Sequence, residues 1–239
     1  MELNKELTII IPAKNEEPRI GILLESLLRQ DYPHIRSTRT VVADAQSTDR
    51  TREVILSFQD KLPIHIIDGG LPPISRNAGA KLAESVYLLF LDADTDLIDA
   101  TLIRRGVELM KRKQLHCATA KLTCKNGCWK DGLMYSMNNV CLYFSKYTSP
   151  FSPGAFMMFD HQKFRELGGF NEKVHFSEDY YLSKQVAGKK FAVISGYYAT
   201  DNRRFVKMGR LKMMRMFLNT MLHAKDDSYF YRDHKYFDQ

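Results

Sequence analysis

Val86-Tyr87-Leu88-Leu89-Phe90-Leu91-Asp92-Ala93-Asp94-Thr95-Asp96 decides the fold class of this 239-residue chain. The apolar run from Val86 to Leu91 is the longest in the sequence, far short of the roughly 18 residues a membrane span needs. It has the length of a strand covered on both faces, and strands buried on both faces are usually parallel. The run then stops in Asp92, Asp94 and Asp96, a composition that no buried strand accepts. In an open α/β sheet ligands bind just beyond the carboxyl ends of strands, which is where these acids fall.

The same pattern repeats on the N-terminal side. Leu7-Thr8-Ile9-Ile10-Ile11 is short, β-branched and ended by Pro12. Glu16 and Glu17 precede Pro18, and Ile20, Leu23, Leu24, Leu27 and Leu28 follow at helical spacing, so a helix starts there. A strand over residues 40–43, a helix carrying Val54, Ile55 and Phe58, and a strand over 64–67 come next. Gly69-Gly70 and Pro72-Pro73 lead into a further helix with Ala78, Leu82 and Ala83 on one face. Downstream the pattern predicts a helix over 99–111 and a strand over 116–123, then a helix-like stretch over 132–144 and a strand over 154–159. A short helix over 162–167, a helix opened by Glu178-Asp179 and running to 188, and a strand over 191–194 complete it. This alternation predicts an α/β fold with a mostly parallel central sheet flanked by helices.

Composition excludes several classes. Hydrophobic residues at 44% and charged residues at 26% are ordinary globular usage. The N-terminal residues carry acids and run into a strand, unlike a secretory signal, so a cytoplasmic protein is expected. Thirty-five Lys and Arg against 28 Asp and Glu give a net charge of +7, which favours phosphate-bearing partners or an anionic membrane surface. Nucleic acid is not expected, because the basic residues do not interleave with aromatics along one element. Cys117, Cys124, Cys128 and Cys141 lack zinc-finger spacing and read as free thiols. No P-loop and no G-x-G-x-x-G occurs, so phosphate cradling by glycines is absent.

Acids this close repel one another unless a cation sits among them, and hard oxygen ligands in that number suit Mg²⁺ or Mn²⁺, which in turn clamp a diphosphate. The alternative is a solvated acidic loop. Other polar residues fall at the same sheet edge: Lys14, Asn15 and Glu16 after the first strand, Asp44 after the second, Arg76 and Asn77 at the start of the helix after the third.

Taken in order, Thr8-Ile9-Ile10-Ile11-Pro12-Ala13-Lys14-Asn15-Glu16, Asp44-Ala45-Gln46-Ser47-Thr48-Asp49, Arg76-Asn77-Ala78-Gly79 and Leu91-Asp92-Ala93-Asp94 resemble a family 2 glycosyltransferase of the GT-A, nucleotide-diphospho-sugar transferase fold. Gly154-Ala155-Phe156-Met157, Leu167-Gly168-Gly169-Phe170-Asn171-Glu172 and Ser177-Glu178-Asp179 extend the match. The resemblance implies that Pro12, Ala13, Asn15, Glu16 and Asp44 hold the base and ribose of a UDP- or GDP-sugar, and that Arg76 approaches base or diphosphate. It implies that Asp92 and Ala93 meet ribose or metal, that Asp94 ligates a Mg²⁺ or Mn²⁺ ion, and that Asp96 is a third ligand. Gly154 lies in a matching segment, and Arg203 and Arg204 are placed to reach the diphosphate. Asp179 is implied as the general base of an inverting transfer to a glycan or lipid-linked acceptor, with Glu178 on the acceptor side. A first-turn acid pair that only complements the helix dipole is the bland alternative for both.

The expected organisation is one catalytic domain over 1–205, with 206–239 an amphipathic helix and tail. Over 206–222, Leu211, Met214, Leu218 and Leu222 form one apolar stripe and Met213, Met216 and Phe217 another, beside Lys207, Arg210, Lys212 and Arg215. A surface helix needs only one stripe, so the second is expected to meet an anionic bilayer or a subunit of a homodimer. The aromatic tail, with Tyr229, Phe230, Tyr231, Tyr236 and Phe237, carries no readable pattern. A non-catalytic nucleotide-sugar-binding subunit is the alternative to an active transferase.

Overall fold

The computed structural model describes residues 3–232 apart from 126, 175 and 202, with the side chains of 204 and 205 also outside the description. Seven strands form one sheet in the order β3-β2-β1-β4-β6-β5-β7. They are β1 (Leu7–Ala13), β2 (Arg39–Asp44), β3 (Ile64–Asp68), β4 (Tyr87–Phe90), β5 (Cys117–Cys124), β6 (Met157–Asp160) and β7 (Phe191–Thr200). The apolar run at 87–90 is buried throughout and pairs in parallel with β1, which pairs in parallel with β2, and β2 with β3. That half of the sheet follows directly from the short apolar runs. β6 runs antiparallel to both β4 and β5, while β5 and β7 are parallel. The sheet is therefore mixed, though mostly parallel, as expected of the fold class.

The helices are α1 (Glu17–Leu28), α2 (Thr51–Leu56), α3 (Pro72–Lys81), α4 (Leu102–Lys113), α5 (Trp129–Ser145), α6 (His161–Glu166), α7 (Glu178–Ser183), α8 (Arg203–Met208), α9 (Arg210–Leu222) and α10 (Asp227–Phe230). One core layer joins Ile9 and Ile11 of β1 to Leu23 and Leu24 of α1 and Val107 of α4. The other joins Ile10 and Phe90 to Ala80 of α3, Phe164 of α6 and Leu182 of α7. Alternate residues of one strand thus feed opposite layers, and burying them supplies about 25 cal/mol per Å² of apolar surface.

Several boundaries depart from expectation for identifiable reasons. The strand expected over 154–159 starts only at Met157. β7 continues past Ile194 to Thr200 through an irregularity, where Ala120 pairs with Ile194 but Lys121 with Tyr197. The helix expected over 206–222 is two helices, broken at Gly209, whose φ of +84° an L side chain rarely adopts. Met213, placed on the stripe expected to meet a bilayer or subunit, instead packs inward against Tyr135, and Met216 packs beside Phe230 and Tyr180. The exposed side of α9 carries Leu211, Leu218 and Leu222 of the other stripe, together with Phe217 from the expected one. The tail is structured too, since Tyr229 and Phe230 are buried, while Tyr236 and Phe237 lie outside the described residues. Among the described residues no helix is long and apolar enough to cross a membrane.

Candidate active site

The register carries the ends of β1, β2 and β3 to one level, with Ala13 opposite Asp44 and Asp44 opposite Asp68. Leu91 donates its backbone N–H to Ile10 at 3.0 Å, so the acids after β4 emerge at the same edge. A cleft of about 750 Å³ opens there, lined by Pro12, Ala13, Lys14 and Glu16 on one side and Asp92, Ala93 and Asp94 on another, with Arg203 among its walls. Gln46, Gly70 and Leu71 add loop residues from beyond β2 and β3.

Two loops of the rim are stitched together by side chains. Asn15, at φ +53°, accepts the backbone N–H of Thr48 at 2.8 Å, and its own N–H donates to Ser47 Oγ at 2.9 Å. Asn tolerates this left-handed backbone better than most residues. Asp44 is 5% exposed and accepts from Ser47 Oγ at 2.6 Å, with Arg52 at 3.8 Å. Neither Asn15 nor Asp44 lines the cleft; they hold the loops whose neighbours Glu16, Ala45 and Gln46 do. Arg203 Nη2 donates to Glu16 Oε1 at 2.9 Å and lies 3.6 Å from Asp94 Oδ2. The side chain of Arg204 lies outside the described residues.

Beside the cleft a buried charge relay connects Asp92 to the Glu178-Asp179 pair. Arg76 is 3% exposed, donating to Asp92 Oδ1 through Nη2 and to Glu178 Oε1 through Nη1, each at 2.6 Å. Phe170 covers the guanidinium at 5.2 Å. Burial opposes its charge, but Asp92, Glu178 and Asp179 hold its pKa above the ordinary value. Arg76, expected to offer its fork to a base or diphosphate, places both terminal nitrogens on carboxylates. Gly154 is explained by the same group, because a Cβ there would overlap Arg76 Nη2.

Asp179 stands next to this relay in the first turn of α7. Its Oδ2 accepts the backbone N–H of Gly154 and its Oδ1 that of Tyr180, both at 2.7 Å. Burial among protein atoms, then the adjacent Glu178 charge, push its pKa up to about 6, against the opposing pull of Arg76 and the two N–H bonds. A carboxyl poised there can exchange a proton near neutral pH. Tyr198 lies beneath, fully buried, its hydroxyl without a hydrogen-bond partner. Burial, then Asp92, Tyr135, Asp179 and Asp94, push the pKa of that phenol well up.

Asp96 does not join the acids it follows. Its carboxylate is bound by Arg29 at 3.2 Å and Lys125 at 2.7 Å, and its backbone bridges Ala199. The expected third metal ligand is thus an ion-paired clamp between α1, β5 and β7. Among the described residues no three His, Cys, Asp or Glu side chains gather as a metal cage. Asp92 and Asp94 fit a different kind of site, in which a hard cation takes one or two carboxylates and completes its shell with substrate phosphates and water. Lys207 and Met208 also line the cleft, although their sequence context reads as an outward-facing amphipathic helix. The turn at Gly69-Gly70 was visible beyond the end of β3, and its position at the ligand edge was the available signal.

The family model for glycosyl transferase family 2 matches residues 8–168. The poly(ribitol-phosphate) beta-N-acetylglucosaminyltransferase TarS of Staphylococcus aureus is 34% identical over 101 residues, covering 41% of this chain and 18% of that protein. The crystal structure of S. aureus TarS 1-349 in complex with UDP superposes with a TM-score of 0.66 at 21% identity, over 84% of this chain and 62% of that one. A mannosyltransferase from Pyrobaculum calidifontis in complex with GDP-Man and Mn²⁺ gives 0.66 at 19% identity, over 82% and 59%. The chain spans about a fifth of the length of the TarS sequence it matches.

Proposed function

The chain belongs to glycosyl transferase family 2, and from that premise we propose that it moves a sugar from a UDP- or GDP-sugar to an acceptor hydroxyl or phosphate with inversion at the anomeric carbon. The observation that carries this reading is the placing of Asp179, a carboxyl with its pKa at about 6, beside the relay from Glu178 through Arg76 to Asp92.

In this mechanism Pro12, Ala13 and Glu16 receive the nucleoside, and Arg203 and Lys207 offer cationic donors to the diphosphate. Asp94, assisted by Asp92, holds the divalent ion, which when bound supplies positive charge against the leaving diphosphate. Asp179 takes the proton from the acceptor hydroxyl as its oxygen attacks the anomeric carbon. The C–O bond to the diphosphate breaks on the opposite face, and the nucleoside diphosphate leaves with the electron pair. A single positioned base and no covalent intermediate give inversion. Arg76 fixes Glu178 beside Asp179, and the like charge between the two acids raises the base. The related TarS structure with UDP and the mannosyltransferase with GDP-Man and Mn²⁺ support a nucleotide-sugar donor and a divalent ion.

A panel of UDP- and GDP-sugars with Mn²⁺, read both by thermal shift and by nucleoside-diphosphate release, tests the reading. One donor is expected to stabilise the protein and to release its nucleotide faster when an acceptor is added. Stabilisation with no release under any acceptor would point to the non-catalytic binding subunit, and no stabilisation at all would overturn both.

A further inference from the structure

α5 presents two contrasting sides. Asp131, Tyr135, Leu142 and Ser145 are buried against the domain. On the opposite side Trp129, Leu133, Met137, Val140 and Phe144, followed by Tyr147, recur every three or four residues, and all are exposed, Trp129 at 74%. α9 is fastened beside α5 by Arg210, whose Nε donates to the buried Asp131 at 2.6 Å, and by Met213 against Tyr135. It too turns large apolar residues outward, with Leu211 at 78% and Leu222 at 80% exposed. Solvent-facing apolar surface in such runs marks an interaction site.

The charges around these helices identify the occupant. Residues 121–149 and 203–225 together hold eleven Lys or Arg and one acid, Asp131, so they carry more than the whole +7 of the chain. Lys146 lies over the rings of Tyr143 and Tyr147 at 4.5 and 4.8 Å, and Lys130 over Trp129 at 5.6 Å. Ammonium groups set beside Trp and Tyr, with aliphatic side chains between them, match the headgroup zone of a bilayer, where amphipathic rings settle and lysines reach phosphates. A two-fold contact between copies would instead set the same cations against each other.

We propose that the outer sides of α5 and α9 form a platform that docks this protein on an anionic lipid bilayer. The platform ends near Asp179, since Tyr180, the next residue, donates its hydroxyl to Ser149 at 3.2 Å just beyond α5. Docking therefore brings the proposed base towards the surface from which a lipid-linked acceptor comes. That orientation rests on the transferase reading; the docking itself does not.

Trp129 is the only tryptophan in the chain, so its fluorescence reports on the platform without substitution. With vesicles of phosphatidylcholine and phosphatidylglycerol the emission is expected to move to shorter wavelength and to be quenched by brominated acyl chains. Pure phosphatidylcholine should act weakly, and salt well above the physiological range should reduce binding. In flotation, Leu133→Glu with Phe144→Glu should lower the bound fraction about tenfold or more, whereas Val86→Glu, exposed on another part of the molecule, should not. Nucleotide-sugar titration of the same variants shows that they are folded, and its failure in the wild type would count against the transferase reading alone. Docking is overturned if anionic vesicles neither shift nor quench Trp129, or if the paired α5 variant floats as well as wild type. It is also overturned if the wild type sediments as a dimer that this variant dissociates, which would assign the platform to a second copy.

Discussion

Arg76 donates to Asp92 at 2.6 Å from a position only 3% exposed, so the first acid after β4 is anchored by a cation that reaches on to Glu178. Removing one member of a buried ion pair leaves an uncompensated charge, which costs about 3–5 kcal/mol. Arg76→Ala strands two carboxylates and is expected to lower the unfolding free energy by about that amount in urea titration. Arg76→Lys keeps the charge but loses the two-armed geometry, so it should fall between. A loss under about 1 kcal/mol for the alanine variant would show that the relay is no more than a solvated surface pair.

Gly154→Ala tests the same relay from its other side. The added Cβ overlaps Arg76 Nη2, and the guanidinium cannot swing away without breaking a 2.6 Å contact. Overpacking of this kind costs about 1–3 kcal/mol. Because Gly154 also donates to Asp179, transfer should fall more than stability alone explains, as turnover measured well below the melting temperature would show.

The parallel half of the sheet was legible because β1, β2 and β4 are buried on both faces and carry the apolar runs Ile9-Ile10-Ile11, Val41-Val42-Ala43 and Leu88-Leu89-Phe90. The antiparallel direction of β6 was not, since Met157 to Phe159 are as buried as β4 and the direction is set by the irregular connection before them. The cleft was legible as an edge, through Glu16, Asp92 and Asp94. The partners of Arg76 were not, because Asp92 and Glu178 stand 16 and 102 residues away and no local period links them. Asp96 misled for the complementary reason: it continues the spacing of the acids, but its backbone has turned onto Ala199, which carries its carboxylate to Arg29 and Lys125.

That difference separates the two acids experimentally. Asp94→Asn should weaken Mn²⁺-dependent donor binding by about ten- to a hundredfold, the range expected when one charged ligand interaction is lost. Asp96→Asn should leave the metal requirement unchanged and cost at most about 1 kcal/mol of stability, since Arg29 and Lys125 are about half exposed and their pairing is screened. Calorimetry of donor binding with and without chelator decides it. A shift in apparent metal affinity for Asp96→Asn, with none for Asp94→Asn, would reverse the assignment.

Asp179 gives the pH dependence its sign. Its folded pKa of about 6 lies above the ordinary aspartate value of about 3.9, so the native protein binds a proton that the unfolded chain has released. The stabilisation linked to that proton is complete below about pH 4 and is lost as pH rises through about 6. Activity runs the other way, because the base works only when ionised: kcat/KM should fall as pH drops below about 6, with the slope of one proton. Glu178 is the like charge next to it, so Glu178→Gln should move this limb to lower pH. Asp179→Asn should remove the limb and lower turnover by about 10²- to 10⁴-fold while donor affinity stays near wild type. The near-isosteric change separates lost basicity from lost shape. Transfer at close to the wild-type rate, or a collapse of donor affinity together with the rate, would show that Asp179 is not the group that takes the acceptor proton.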